Sequence, residues 1–201
     1  MKKCVILCAG GFNGLLEQPG KDDYVIAADG GYRHAQSLGL TPDCILGDFD
    51  SLGFVPEGAQ VFPVEKDDTD AMLAVRHGLS LGCKDFVIYG SLDGDRVDHT
   101  VANLQTLLFV KAHGGCGCLV GKTQIATVIQ NDTLVLSDPK GIVSVFAMGA
   151  DAKGVSIQGL QYELQEGTLS PSFPLGVSNH GRGVPAKISV EDGTLLVIYD
   201  R

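Results

Sequence analysis

Apolar positions along the chain follow two regimes, one before and one after about residue 120. In the first, short runs rich in Val and Ile at 3–9, 24–28, 44–47, 60–64, 86–89 and 118–120 are continuous rather than alternating, as in strands buried on both faces. Between them, Ala71, Leu73, Ala74, Val75, Leu79 and Leu81 recur at a spacing that predicts a helix. Val101, Leu104, Leu107, Leu108 and Val110 predict another, stopped by Gly114-Gly115. Strand–helix alternation of this kind makes a parallel sheet with helices on its faces. Beyond residue 120 the helical period disappears. Short runs at 125–129, 133–136, 142–146, 155–157, 186–190 and 194–199 are separated by turn formers such as Asn131-Asp132 and Glu191-Asp192-Gly193. The expected organisation is α/β: a parallel-sheet, Rossmann-like domain over 1–122, followed by a small all-β sandwich or barrel over 123–201.

Composition narrows what such a chain does. Apolar residues are 44% and charged residues 19%, enough to bury a core, so disorder is excluded. Acids outnumber bases 24 to 15, giving a formal net charge of −9. That balance leaves no electrostatic footprint for nucleic acid or anionic membrane, and the absence of Trp removes a platform for stacking bases. No apolar stretch reaches the roughly 20 residues of a membrane helix, and the apolar run after Met1-Lys2-Lys3 is too short for a signal peptide and reads as a first strand. The six cysteines are scattered through apolar segments, as expected of reduced thiols in a cytoplasm. His113, Cys116 and Cys118 lack the spacing of a metal site and are expected to pack.

The aspartates are unevenly placed: ten of them lie between Asp43 and Asp98. Gly47-Asp48-Phe49-Asp50-Ser51 follows a predicted strand, where a parallel sheet opens its ligand crevice. Two carboxylates one residue apart in a turn can converge on a hard cation, although Asp and Ser also form ordinary turns. Asp67-Asp68-Thr69-Asp70 opens a helix; Thr and Asp suit a cap, yet three acids in four residues exceed what capping requires. The segment 90–100 again joins a strand to a helix, with Arg96 able to fork onto phosphate and Asp98 able to bind metal or accept a proton. Ala28-Asp29-Gly30-Gly31 places an acid for a ribose hydroxyl and two glycines for close backbone approach, or else is only a tight turn. Two tempting motifs fail. Gly10-Gly11-Phe12-Asn13-Gly14 does not fit the dinucleotide fingerprint, which counts against a dehydrogenase. Gly121-Lys122-Thr123 lacks the first glycine of a P-loop and no helical pattern follows it, so Lys122 is expected to leave ATP binding unaffected.

Taken in order, ADGG at 28–31, GDFDS at 47–51, DDTD at 67–70, Arg96-Val97-Asp98-His99, Ser178-Asn179 and the closing GTLLVIYD at 193–200 resemble thiamine pyrophosphokinase over nearly the whole chain. The resemblance implies a Mg²⁺-dependent transfer of pyrophosphate from ATP to the hydroxyl of thiamine, giving thiamine diphosphate and AMP. It also implies a homodimer whose sites are shared between the α/β domain of one subunit and the β domain of the other. By position it assigns Asp48, Asp50, Asp70 and Asp98 to the metal, with Asp98 also serving the attacking hydroxyl, and Arg96 to phosphate. Asp29, Gly30, Gly31, Ser51 and Thr69 fall on the ATP side, and Ser178 and Asn179 on the thiamine side. Two departures stand out: Asp93-Gly94-Asp95 precedes Arg96 where small residues are usual, and His180 follows Ser-Asn where an acid is common. A pyrophosphokinase acting on a pterin alcohol would share the donor machinery, and a non-enzymatic nucleotide-binding protein is the remaining alternative.

Overall fold

A computed structural model of the chain describes residues 2–63 and 67–201 and resolves two compact units, Met1–Thr123 and Gln124–Arg201. The first contains β1 (Lys3–Leu7), β2 (Tyr24–Ala28), α1 (Gly31–Ser37), β3 (Cys44–Gly47), β4 (Gln60–Val61), α2 (Asp70–Ser80), β5 (Asp85–Tyr89), α3 (Val97–Ala112) and β6 (Cys116–Val120). Its strands lie in the order β4-β3-β2-β1-β5-β6, every pair parallel. The apolar runs make this sheet: β1 and β2 bury four of their five residues each, which requires cover on both faces. From β1 the chain steps outward to β4, then returns across the sheet to β5 on the other side of β1. The order therefore reverses between β1 and β5, the place where open parallel sheets leave a crevice.

Both predicted helices form, as α2 and α3, and a further helix was not expected. The unpredicted helix, α1, is short and buries only Gly31 and Ala35, so its sequence carries no apolar period. The predicted strand at 60–64 reaches only Val61; Val64 lies outside the described residues.

The second unit is antiparallel throughout. It contains β7 (Gln124–Gln130), β8 (Thr133–Leu136), β9 (Lys140–Ala147), β10 (Ala152–Gln158), β11 (Leu164–Leu169), β12 (Gly176–Arg182), β13 (Ala186–Ser189) and β14 (Thr194–Asp200). β12, β9, β14 and β7 pair in one array and β11, β10, β13 and β8 in another. Both contribute to one core, in which Val143, Val145, Leu195 and Val197 meet Val155, Ile157, Leu169 and Ile188. The segment around Ser178, which lies outside the runs that predict strands, is the edge strand β12. It escapes detection because Ser178 sits at φ 59° and the pairing with β9 slips between Gly176 and Asn179, which breaks the alternation. Among the described residues, no helix is long and apolar enough to cross a membrane.

Candidate active site

Because the strands of the first unit are parallel, β1, β2, β3, β5 and β6 all deliver their following residues to one edge of the sheet. Asp29 follows β2 and Asp48 follows β3. Asp29 adopts φ 46°, a left-handed conformation that Asp tolerates better than most residues, and its N–H donates to the Leu46 carbonyl at 2.8 Å. Gly47, at φ 150°, lets β3 end against Asp29; a Cβ there would lie 3.0 Å from the Asp29 backbone. Next, Phe49 takes φ 61° and turns its ring inward, where it is 3% exposed, while the Asp50 N–H turns back to Asp48 Oδ1 at 3.3 Å.

This geometry collects three carboxylates. Oxygens of Asp29, Asp48 and Asp50 all lie within 4.8 Å of one another, the only cluster with metal-ligand geometry among the described residues. Asp29 Oδ2 accepts from Ser51 Oγ at 2.7 Å, whereas its buried Oδ1 has no hydrogen-bond partner among the described residues. A buried carboxylate oxygen without a donor, beside two further carboxylates, is the environment a divalent cation satisfies. The donor set is all oxygen, which suits Mg²⁺ or Mn²⁺ over softer metals.

The other expected residues fall around this cluster in different states. Asp70 begins α2 and is not one of the three, but its charge and that of Asp29 both act on the Cys8 thiol. That thiol is pushed up to about 12, first by burial and then by these two carboxylates. Asp70 therefore shares surroundings with Asp29 at the end of β1. Thr69 caps α2, its Oγ1 accepting from the Met72 N–H at 3.2 Å, and Asp68 pairs with Arg76 at 2.9 Å. The acids of this segment are thus divided between a helix-bound ion pair and the crevice. Arg96 and Asp98 lie at the start of α3 and grip each other through two contacts, of 2.5 and 3.3 Å. Both are well exposed, and the guanidinium holds the Asp98 carboxyl below its ordinary range while the carboxylate raises Arg96.

Glycines bring the loops together. A Cβ on Gly31 would lie 1.8 Å from the Leu7 carbonyl oxygen, and one on Gly30 would lie 3.0 Å from Ser51 Oγ. Gly10 and Gly90, following β1 and β5, cross so closely that neither admits a side chain. The loop after β5 is further pinned by Asn103 of α3, whose Nδ2 donates to the Ser91 carbonyl at 2.8 Å. The sequence did not single out Asn103, and it placed Asp29 at a ribose hydroxyl or in a tight turn without joining it to Asp48 and Asp50. The available signal for Asp29 was a second acid directly after a buried strand.

In the second unit, Ser178 is exposed and its N–H donates to Ser144 Oγ at 3.1 Å. Asn179 is buried, and its amide is committed to backbone: Oδ1 accepts from the Tyr162 and His180 N–H groups, both at 2.9 Å, and Nδ2 donates to the Tyr162 carbonyl at 2.6 Å. Asn179 also lines a cavity of about 290 Å³ with Tyr162, Leu164, Leu175 and Val177.

Among curated proteins no relative matches the chain. Solved structures do. A thiamine pyrophosphokinase from Bacillus subtilis superposes with a TM-score of 0.86 at 23% identity, covering 99% of both chains. One from Geobacillus thermodenitrificans gives 0.84 at 23% identity over 99% of this chain and 97% of that one. One from Candida albicans gives 0.74 at 14% identity over 100% of this chain and 89% of that one. At these identities the likeness establishes the fold. Residues 17–116 match the family model described as "Thiamin pyrophosphokinase, catalytic domain", and residues 132–195 match "Thiamin pyrophosphokinase, vitamin B1 binding domain". With a model of the same family matched in each unit and most of the chain spanned between them, the chain belongs to the thiamin pyrophosphokinase family and is a thiamine diphosphokinase.

Proposed function

We propose that this enzyme takes ATP as pyrophosphoryl donor, works with Mg²⁺, and converts thiamine to thiamine diphosphate with release of AMP. The observation that carries the reading is the cluster of Asp29, Asp48 and Asp50 with its unsatisfied buried Asp29 oxygen. These three carboxylates would hold the cation, with Asp70 beside them. Bound there, Mg²⁺ supplies neutralisation of polyphosphate charge that an acidic crevice cannot supply itself. On this reading the open sheet that reverses between β1 and β5 is a Rossmann-like nucleotide domain over residues 1–122. The segment 123–201 is then a thiamine-binding sandwich.

The chain's own residues position and balance the transfer. The thiamine hydroxyl oxygen bonds to the β-phosphorus of ATP, the bond from that phosphorus to the α-phosphate oxygen breaks, and AMP leaves. The hydroxyl proton must go elsewhere, and Asp98 is the acceptor we assign. While Arg96 grips it, Asp98 is a weak base. Phosphate oxygens compete for the same guanidinium, so ATP draws Arg96 away and Asp98 regains ordinary basicity when it is needed. Gly30 and Gly31 keep backbone close to the nucleotide, and Ser51 orients Asp29. Thr69 acts on the ATP side by fixing the start of α2. Ser178, exposed on β12, offers its hydroxyl to thiamine, and Asn179 offers its second amide hydrogen while holding Tyr162 beside the cavity. We further assign a homodimer acting in the cytoplasm, with neither nucleic acid nor membrane as partner; six unpaired cysteines fit that compartment.

Incubation of the protein with ATP and thiamine, with and without Mg²⁺, tests the proposal. Thiamine diphosphate and AMP should form in equal amounts and only with the divalent ion. Formation of ADP, or faster turnover of a pterin alcohol than of thiamine, would overturn it.

A further inference from the structure

Lys122 does not belong to a P-loop, because strand β7 begins at Gln124 where that motif needs a helix. Its position nevertheless revises the expectation that it is irrelevant to ATP. Val120, Tyr89, Leu7 and Ala27 are lateral neighbours across β6, β5, β1 and β2. Lys122 thus leaves the sheet at the same edge as Asp29, about 14 Å away by strand spacing alone. The side chain closes part of that distance. Its stem lies flat on Gly11, in the loop after β1: a Cβ on Gly11 would stand 2.4 Å from Lys122 Cε and 3.2 Å from Nζ, and its three nearest atoms would all belong to Lys122. The backbone beneath is fastened on both sides, the Lys122 N–H donating to Asp93 Oδ2 and the Lys122 carbonyl accepting from Asn13 Nδ2 at 2.9 Å. The same β1 loop touches the metal cluster at its other end, where the missing Cβ of Gly30 faces Ala9 and Ser51 Oγ. Among the described residues the Lys122 ammonium makes no ion pair, in a chain of net charge −9. A positioned cation without a carboxylate partner, laid over the strand reversal of an acidic protein, is a site for a ligand's negative charge.

We infer that Lys122, held by the bare backbone of Gly11, binds the phosphate chain of the nucleotide donor from the side opposite the carboxylate cluster. The inference rests on ATP being the donor, and the two can fail separately. Release of AMP by the wild-type enzyme settles the donor without reference to Lys122. With that established, the dissociation constant for ATP is measured by calorimetry in Mg²⁺ without thiamine. Lys122→Met should weaken ATP about tenfold, equivalent to about 1.4 kcal/mol, and Lys122→Arg should recover most of the loss. The thiamine KM and the melting temperature should not move, which separates charge loss from a folding defect. Gly11→Ala should weaken ATP in the wild-type background and add nothing to Lys122→Met, since it acts by displacing the lysine stem. ATP affinity of Lys122→Met within about twofold of wild type, or additive effects of the two substitutions, would overturn the assignment.

Discussion

Asp29 is a buried carboxylate with one oxygen held by Ser51 and the other without a donor among the described residues, beside Asp48 and Asp50. Three like charges so close destabilise the metal-free fold. Asp29→Asn should therefore raise the melting temperature in EDTA while abolishing the further rise that Mg²⁺ produces in the wild type; scanning calorimetry in both conditions checks this. Asp48→Asn and Asp50→Asn, at half-buried and exposed turn positions where water screens the repulsion, should raise the melting temperature in EDTA less than Asp29→Asn does and lower turnover at least about a hundredfold, read at saturating Mg²⁺. Asn179 has a different signature. Asn179→Ala removes a buried amide that bonds both the N–H and the carbonyl of Tyr162 and should destabilise the fold by about 1–3 kcal/mol in urea unfolding. The thiamine KM should rise as well, through loss of the second amide hydrogen; a loss of stability with an unchanged KM would leave Asn179 a support of Tyr162 alone. The pairing of Asp48 with Asp50 was legible because sequence spacing forces it. The partnership with Asp29 was not, since it depends on two strands lying side by side and on the φ of Gly47 and Phe49.

At the scale of elements, the crevice depends on close backbone crossings. The start of α1 is pressed against the end of β1, where Gly31 meets the Leu7 carbonyl, and Gly10 meets Gly90 where the order of strands reverses. Gly31→Ala places a methyl group 1.8 Å from backbone that cannot move without breaking the β1–β2 register. It should prevent folding or cost more than about 3 kcal/mol, seen as loss of soluble protein or of the unfolding transition. The parallel strands were legible because burial on both faces makes their runs continuous. Helix α1 was not, because burial through Gly31 and Ala35 leaves no large apolar period. Strand β12 was hidden by the positive φ of Ser178, which makes it an irregular edge of a sheet without an alternating pattern. The mutual grip of Arg96 and Asp98 was hidden as well, since spacing of i and i+2 at a helix start does not reveal which side chain turns back.

At the scale of the whole molecule, a chain of net charge −9 binds a polyphosphate against its own field. A cation held by the carboxylate cluster, between the two sets of negative charge, would offset that repulsion. Titration of the apoprotein with Mn²⁺ in the presence of ATP, followed by loss of the free-ion electron paramagnetic resonance signal, tests it directly. Wild-type protein should take up Mn²⁺ beyond what ATP alone binds, Mg²⁺ should displace it, and Asp29→Asn, Asp48→Asn and Asp50→Asn should each lose that uptake. Equal uptake by the three variants and the wild type, or none by the wild type, would contradict a cation site at these carboxylates.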